Sequence, residues 1–400
     1  MDAAQLVEYG LRRALTLGAS EAEVYVVRNL STGLRGTVKG LERASSGEVV
    51  LVGVRVAVGK RVTVQGGMVS SASDMDRIVE DAVKVARVVP EDPKWVSLPT
   101  RLEASPAEVE VDEFAKNPDP VKMSEMVKYL LEAPREIDRR VYTAEAGVEV
   151  ELVERAIGNS YTSKILSEVL TYASAGVEVK AVEGGEESGA YDWRVAPKLS
   201  YIDLEKLVRE ASELAVRGLR ARVPETGSYD LLLAPRVFSR ILGSLIAPAV
   251  SADNVQRGRS PLAGKIGAQV LSSALTIVDD GLARGLTGTR AFDDEGVATS
   301  RKHVFERGVL RTYLYDNYTA KIEGKESTGN ARRVSPAAQP TPSITNFVVE
   351  AGQQSVDSLI REVKRGILVF ETIGEWLSNP VTGLLNATVT NGLLIEGGEI

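Results

Sequence analysis

The segment VVLVGVRVAVGKRVTVQ, residues 49–65, constrains the fold most strongly. It is dense in β-branched residues and broken only at Gly59-Lys60, which predicts two strands joined as a hairpin. Helical stripes flank it. Leu6, Val7, Leu11, Ala14 and Leu15 share one face of an opening helix that stops at Gly18, a residue suited to the C′ position. Ser73, with Asp76 three residues on, predicts the cap of a second helix that buries Ile78, Ala82, Val85 and Val89. With AEVYVVR (22–28) and a strand near 33–44, this region reads as an α+β unit closed by Pro90 and Pro93.

Residues 94–120 are dotted with proline and read as a linker. Asp119-Pro120 supplies an N-cap and first-turn pair for a helix to about Glu132. Two strand-like runs follow, RRVYTAEAGVEVELVERAIGN and LSEVLTYASAGVEVKAVEG, with EGGEESG as a turn. Asp203 caps an amphipathic helix bearing Leu204, Leu207, Val208, Ala211, Leu214, Ala215 and Leu219. After Pro224 and Gly227, YDLLLA reads as a buried strand. Pro235 then opens a helix with Phe238, Leu242, Leu245 and Ile246 as core, ended by Pro248. Strands are expected at TIVDD (276–280), HVFERGVLRTYLYD (303–316, turning at Arg307-Gly308), SITNFVVE (343–350), GILVFET (366–372) and GLLIEGGEI (392–400), and Ser355 caps a short helix. The predicted class is α+β: an N-terminal α/β domain (1–93), a linker and central α+β region (94–224), and a strand-rich C-terminal domain with a few helices (225–400).

The chemistry available to this chain is narrow. Its 400 residues include one histidine, His303, and no cysteine. Catalytic zinc sites almost always include a histidine, and cysteine nucleophiles are excluded outright. A net charge of −7, with no basic block, argues against nucleic-acid binding. MDAAQLVEYGLRRA lacks the pattern of a signal peptide, and the longest apolar stretch, around Ile241 to Val250, is too short for a membrane span. The expected location is cytoplasmic, without a membrane partner.

Several motifs invite a functional reading. GRSPLAGKI (258–266) has five residues between its glycines where a phosphate-binding loop has four, and Ile266 stands where a hydroxyl must reach magnesium. GLARGLTG (281–288) reads as a surface loop. His303 in a strand reads as a solvent-facing or core-edge residue. Asp279-Asp280 and Asp293-Asp294-Glu295 have the carboxylates of a Ca²⁺ or Mg²⁺ site, but the glycines after them favour turn and loop-anchoring roles. ESTGNARR (326–333), with Thr328, Asn330, Arg332 and Arg333, is rich in groups that bind carboxylates or backbone. These two loops are expected to be cavity or interface elements.

LLAP at 232, RGRSPLAGKIG at 257, LTIVDDG at 275, FDDEGVAT at 292, GVLRTYLYDNYTA at 308, ESTGNARR at 326, NPVTG at 379 and LLIEGGEI at 393 resemble, in order, the TldD/PmbA family. GASEAEVYVVR and VGVRVAVGKRV resemble its N-terminal domain, so the likeness covers nearly the whole chain. The family was long described as modulators of DNA gyrase and is now regarded as metallopeptidases. Its catalytic branch carries a His-Glu-x-x-x-His helix and a downstream cysteine, in which two imidazoles and a thiolate hold zinc and the glutamate takes a proton from its water. Counting back from RGRSPLAGKIG places Gly243 and Pro248 at the histidine positions and Ser244 at the glutamate, while Leu275 stands at the cysteine. The chain thus resembles the non-catalytic, TldE/PmbA-like branch.

The resemblance implies a subunit with no catalytic or metal residues of its own, in a two-component peptidase that degrades or processes peptides and unfolded segments. A TldD-like partner would supply the zinc, and a homodimer would form when the chain is alone. Extended peptides can add to a sheet edge through main-chain hydrogen bonds. Two other classes stand beside this reading: an interaction protein that modulates another machine such as gyrase, and a stand-alone hydrolase with non-zinc chemistry.

Overall fold

The computed structural model describes residues 2–400. Helix α1 (Ala3–Thr16) leads into three antiparallel strands, β1 (Glu21–Thr37), β2 (Gly40–Val58) and β3 (Arg61–Met68), and then helix α2 (Ala72–Ala86). The short α3 (Glu113–Lys116) precedes α4 (Pro120–Ile137), the long strands β4 (Val141–Asn159) and β5 (Ile165–Glu183), then β6 (Glu186–Ala196) and helix α5 (Leu204–Gly218). All six strands form one sheet in the order β3-β2-β1-β4-β5-β6. Because β1 pairs with both β2 and β4, this sheet runs across residues 93–94, where the composition suggests a boundary.

Period-2 alternation sorts this sheet into two faces. Val24, Val26, Val52, Val54 and Val56 pack against Leu6, Val7 and Ala14 of α1 and Met75, Ile78 and Val79 of α2. Farther along, Val148, Val150, Val177 and Val179 pack against Met123, Val127 and Leu130 of α4 and Leu207, Val208 and Ala211 of α5. The intervening residues, Glu23, Tyr25, Arg55 and Arg155 among them, are also buried, so the opposite face is covered too.

Local sequence explains the helix ends. Asp119 accepts the N–H groups of Val121 and Lys122, and Asp203 accepts that of Lys206. The capping box of α2 closes at Ser71 with Asp74, two residues before the predicted pair, because Asp76 instead receives the Tyr9 hydroxyl at 2.8 Å. Helix α4 runs past Glu132 to Ile137 although it contains Pro134. The Leu130 carbonyl that Pro134 cannot bond accepts the Thr143 hydroxyl at 3.1 Å.

The C-terminal half holds nine short strands in three small sheets. Strand β7 (Asp230–Leu233) is followed by helix α6 (Pro235–Ile241), a π turn (Leu242–Ile246), α7 (Ala247–Ala249) and α8 (Ala252–Gln256). Then come β8 (Ile277–Asp280), β9 (Arg301–Glu306), β10 (Val309–Leu310), α9 (Asn317–Ile322), β11 (Ala331–Arg332), β12 (Thr341–Pro342) and β13 (Phe347–Val349). Helix α10 (Val356–Glu362) and strands β14 (Arg365–Ile373) and β15 (Thr388–Glu396) complete the chain. One sheet is ordered β10-β9-β8-β13, another β15-β14-β7, and β11 pairs with β12.

Two expectations change here. YDLLLA is not buried: β7 is an edge strand, exposed to half-buried, held only by parallel pairing with β14. Pro248 does not end its helix either. The π turn widens the backbone just before it, which eases the clash between the proline ring and the carbonyl four residues back, and the helix continues to Ala249.

Candidate functional site

The helix through α6, the π turn and α7 is held by its apolar side. Leu242 packs with Val250, Ile277, Val304 and Phe305, with Phe238 and Ile246 at the margin and Val237 fully buried. Gly243 faces outward, and a Cβ added there meets nothing within 4 Å. Ser244 is half-buried and its hydroxyl donates to the Ile241 carbonyl at 3.3 Å. Pro248 and Leu275 are half-buried, and the Leu275 carbonyl accepts the Gly308 N–H at 2.7 Å. This donor set does not fit zinc: it offers one hydroxyl, already bonded, and three side chains with no donor atom. Among the described residues no three His, Cys, Asp or Glu side chains converge into a metal-holding group. His303 sits half-exposed on β9, 3.9 Å from Glu350.

The acidic clusters lie elsewhere, in a buried ionic junction between the large sheet and the C-terminal loops. Arg55 Nη2 donates to Glu23 Oε2 and to Glu295 Oε1, each at 2.7 Å, while Arg333 also donates to Glu23. Asp294 receives Arg155 Nη1 at 2.7 Å, the Tyr25 hydroxyl at 3.1 Å and the Arg333 backbone N–H at 2.8 Å. Asp293 accepts three backbone N–H groups, from Glu295, Val297 and Ala331, each at 2.9 Å. Glu295 Oε2 takes the Asn317 N–H at 2.7 Å, beside the α9 cap Asp316.

Their carboxylate oxygens are thus engaged by N–H and guanidinium donors, and the loops are anchored through them. Asp279, fully buried, belongs to a second knot. It accepts Asn330 Nδ2 at 2.7 Å, Lys302 Nζ at 3.1 Å and the Thr345 N–H at 2.6 Å. Thr328 donates to Asn330 Oδ1 at 2.8 Å, Asp280 accepts the Leu282 N–H at 3.0 Å, and Arg332 pairs with Thr341 between β11 and β12.

Charge crowding leaves a signature. Burial, and then the nearby Glu295 charge, push the Asp316 carboxyl up to about 7 and the Asp293 carboxyl up to about 8. Burial likewise raises the Tyr25 phenol.

A groove the sequence did not single out lies between β6, the free edge of the large sheet, and α6. One part, about 740 Å³, is lined by Trp193, Val195, Tyr201, Arg236 and Phe370, and an adjoining part of about 670 Å³ by Tyr191, Arg240, Glu371 and Trp376. Arg236 donates to the Tyr191 carbonyl at 3.1 Å and, with Arg240, to Glu371. The available signal was the spacing of Arg236 and Arg240, one helical turn apart on the polar side of α6.

Comparison with known proteins places these features. Residues 107–219 match the model of the PmbA/TldA metallopeptidase central domain, and residues 226–400 match that of the PmbA/TldA metallopeptidase C-terminal domain. This chain belongs to the TldD/PmbA family. An uncharacterized protein of Methanocaldococcus jannaschii is 33% identical over 66% of this chain and 60% of its own length. The metalloprotease PmbA of Escherichia coli O157:H7 is 26% identical over 99% of this chain and 86% of its own length. Several curated metalloprotease relatives are matched over only 40–47% of their length. The crystal structure of TldE from Thermococcus kodakarensis superposes with a TM-score of 0.89 at 27% identity, over 98% of this chain and 88% of that one. The large sheet, the ionic junction and the ligand-poor helix all lie in a chain that superposes on that structure over 98% of its length. No helix among the described residues is long and apolar enough to cross a membrane.

Proposed function

We propose that this chain is the non-catalytic, TldE/PmbA-like subunit of a two-component zinc metallopeptidase acting on peptides or unfolded segments. The carrying observation is the helix segment whose Gly243, Ser244 and Pro248, with Leu275, provide no zinc donor set. The partner, a TldD-like chain, supplies the metal and the general base. This chain completes the chamber and helps hold substrate, and the groove between β6 and α6 has the size of a ligand cleft. The chain acts in the cytoplasm.

The test is reconstitution. Purified alone, the chain is expected to hold no stoichiometric zinc and to leave a fluorogenic peptide mixture intact. Addition of the TldD-like chain from the same source is expected to switch on chelator-sensitive cleavage at a rate above that of the TldD-like chain alone. One tightly held zinc per chain, or cleavage by this chain alone, overturns the proposal, as does failure of the two chains to associate.

A further inference from the structure

The turn after β14 is set by one residue. Gly374 has a φ of +96°, which glycine adopts at no steric cost, and it bends the chain into a 3₁₀ turn, Glu375–Leu377. The Leu377 N–H closes that turn on the Gly374 carbonyl at 2.9 Å, and the Ser378 N–H bonds the Glu375 carbonyl at 3.0 Å. The sequence Gly-Glu-Trp thus turns a carboxylate inward and leaves an indole outside. The Glu375 side chain is 6% exposed, whereas Trp376 is 70% exposed. Both line the part of the groove beside Tyr191 and Arg240, together with Glu371 and Ile373.

Glu375 is the unsatisfied member of this lining. Its Oε1 accepts the Thr372 hydroxyl, and among the described residues no donor reaches its Oε2. Arg240 stops 4.0 Å from Oε1, because its Nη1 is taken by Glu371 and the Thr372 carbonyl and its Nη2 by the Tyr191 hydroxyl. Glu371, by contrast, receives Arg236, Arg240 and the Tyr191 hydroxyl. A carboxylate withdrawn from water with an unbonded oxygen is costly, and a cation brought to that oxygen removes the cost.

The surrounding charge points the same way. Glu178, Glu371 and Glu375 outnumber Arg240 three to one among the described residues of this lining. The adjoining part of the groove reverses the balance, with Arg194, Lys206, Arg217 and Arg236 against three carboxylates. The excess of negative charge is therefore local to Glu375.

We propose that this part of the groove takes the side chain of a lysine or arginine from a bound peptide, with its cation on Glu375 Oε2 and its methylene stem against Trp376 and Ile373. This preference for basic residues rests on the reading of the chain as a substrate-holding subunit and gives that role a selectivity. A cavity of about 670 Å³ holds such a side chain with room for backbone at its mouth. The ring of Trp376 attracts a cation over its face, and the stem covers apolar surface that is otherwise wet. A neutral side chain gains the second contact without the first, and an acidic one is repelled.

Fluorescence anisotropy with the chain alone, at about 0.15 M salt, reads the outcome. The probes are fluorescein-labelled Gly-Ser-Leu-X-Leu-Ser-Gly peptides with lysine, arginine, glutamine or glutamate at X. The lysine and arginine probes are expected to bind about tenfold more tightly than the glutamine probe, the scale of one hydrogen-bonded charge pair. Glu375→Gln keeps an acceptor for the Thr372 hydroxyl, and it is expected to bring the lysine and glutamine probes close to equality while the glutamine probe binds as before. If that variant misfolds, Trp376→Ala, at an exposed side chain, serves in its place and is expected to weaken the lysine and arginine probes more than the glutamine probe. Equal binding of the four probes by the intact chain overturns the proposal, as does failure of every probe to bind. So does a lysine preference that survives Glu375→Gln. Spermidine binding more tightly than every peptide probe assigns the site to free polyamines and overturns the peptide assignment as well. Binding is read without a partner or cleavage, so loss of the charge preference leaves the subunit reading standing.

Discussion

Arg55 Nη2 lies 2.7 Å from Glu295 Oε1, joining residues 240 positions apart, and both side chains are withdrawn from water. The same nitrogen holds Glu23, so one guanidinium ties β1 and β2 to the loop between β8 and β9. Its Nε makes no hydrogen bond, and its ring neighbour is Trp95 at 5.9 Å.

Arg55→Met leaves Glu23 and Glu295 buried with one cation fewer. Breaking a buried pair in this way costs about 3–5 kcal/mol, because the surviving charges lose their partner. Urea unfolding of the variant against the parent measures it, and a loss below about 1 kcal/mol would show that the junction is not a principal tie between the two halves.

Stability should depend on pH through Asp316. Its folded pKa, about 7, lies above the unfolded value near 3.9, so the folded protein keeps a proton that the unfolded chain has released. That contribution is fully present below about pH 4 and is lost as pH rises through about 7. Asn at position 316 can still cap α9 but does not titrate. The fall in urea midpoint between pH 5 and pH 8 is expected to be smaller in Asp316→Asn than in the parent. Equal falls would refute the assignment.

Gly53 lies where the C-terminal loop rests on the large sheet. An added Cβ there would overlap the Pro336 carbonyl, and one on Gly66 would come within 2.7 Å of the Ala337 side chain. Gly53→Ala is therefore expected to cost about 1–3 kcal/mol by forcing the loop away. Proteolysis near residue 336 should accelerate in parallel, and an unchanged melting temperature would exclude the close approach.

Gly243 predicts the opposite sign. Its Cβ position is open and its φ is not positive, so Gly243→Ala removes backbone freedom from the unfolded chain without a clash. A gain of about 0.5–1 kcal/mol is expected. Destabilisation in thermal melts would mean that the π turn needs glycine there.

Much of the secondary structure was legible locally. Asp119, Asp203 and Ser355 cap helices as their side-chain chemistry requires. Arg307-Gly308 turns with positive φ between β9 and β10. That Gly243, Pro248 and Leu275 carry no ligating atom was equally visible, because a side chain without a lone pair cannot ligate in any fold. The cap of α2 was misplaced by two residues because Asp76 is claimed by Tyr9, a contact 67 positions away.

What sequence determined by itself was which residues share a face and which chemistry the chain lacks. What tertiary structure decided was what covers each face. In EAEVYVV, Glu23 and Tyr25 alternate with valines, and they lie beneath loops 310 and 269 residues downstream. Alternation fixes the direction of a side chain, whereas its partner depends on chain closure. An ion pair such as Arg55–Glu295 is therefore written in neither of the segments that form it.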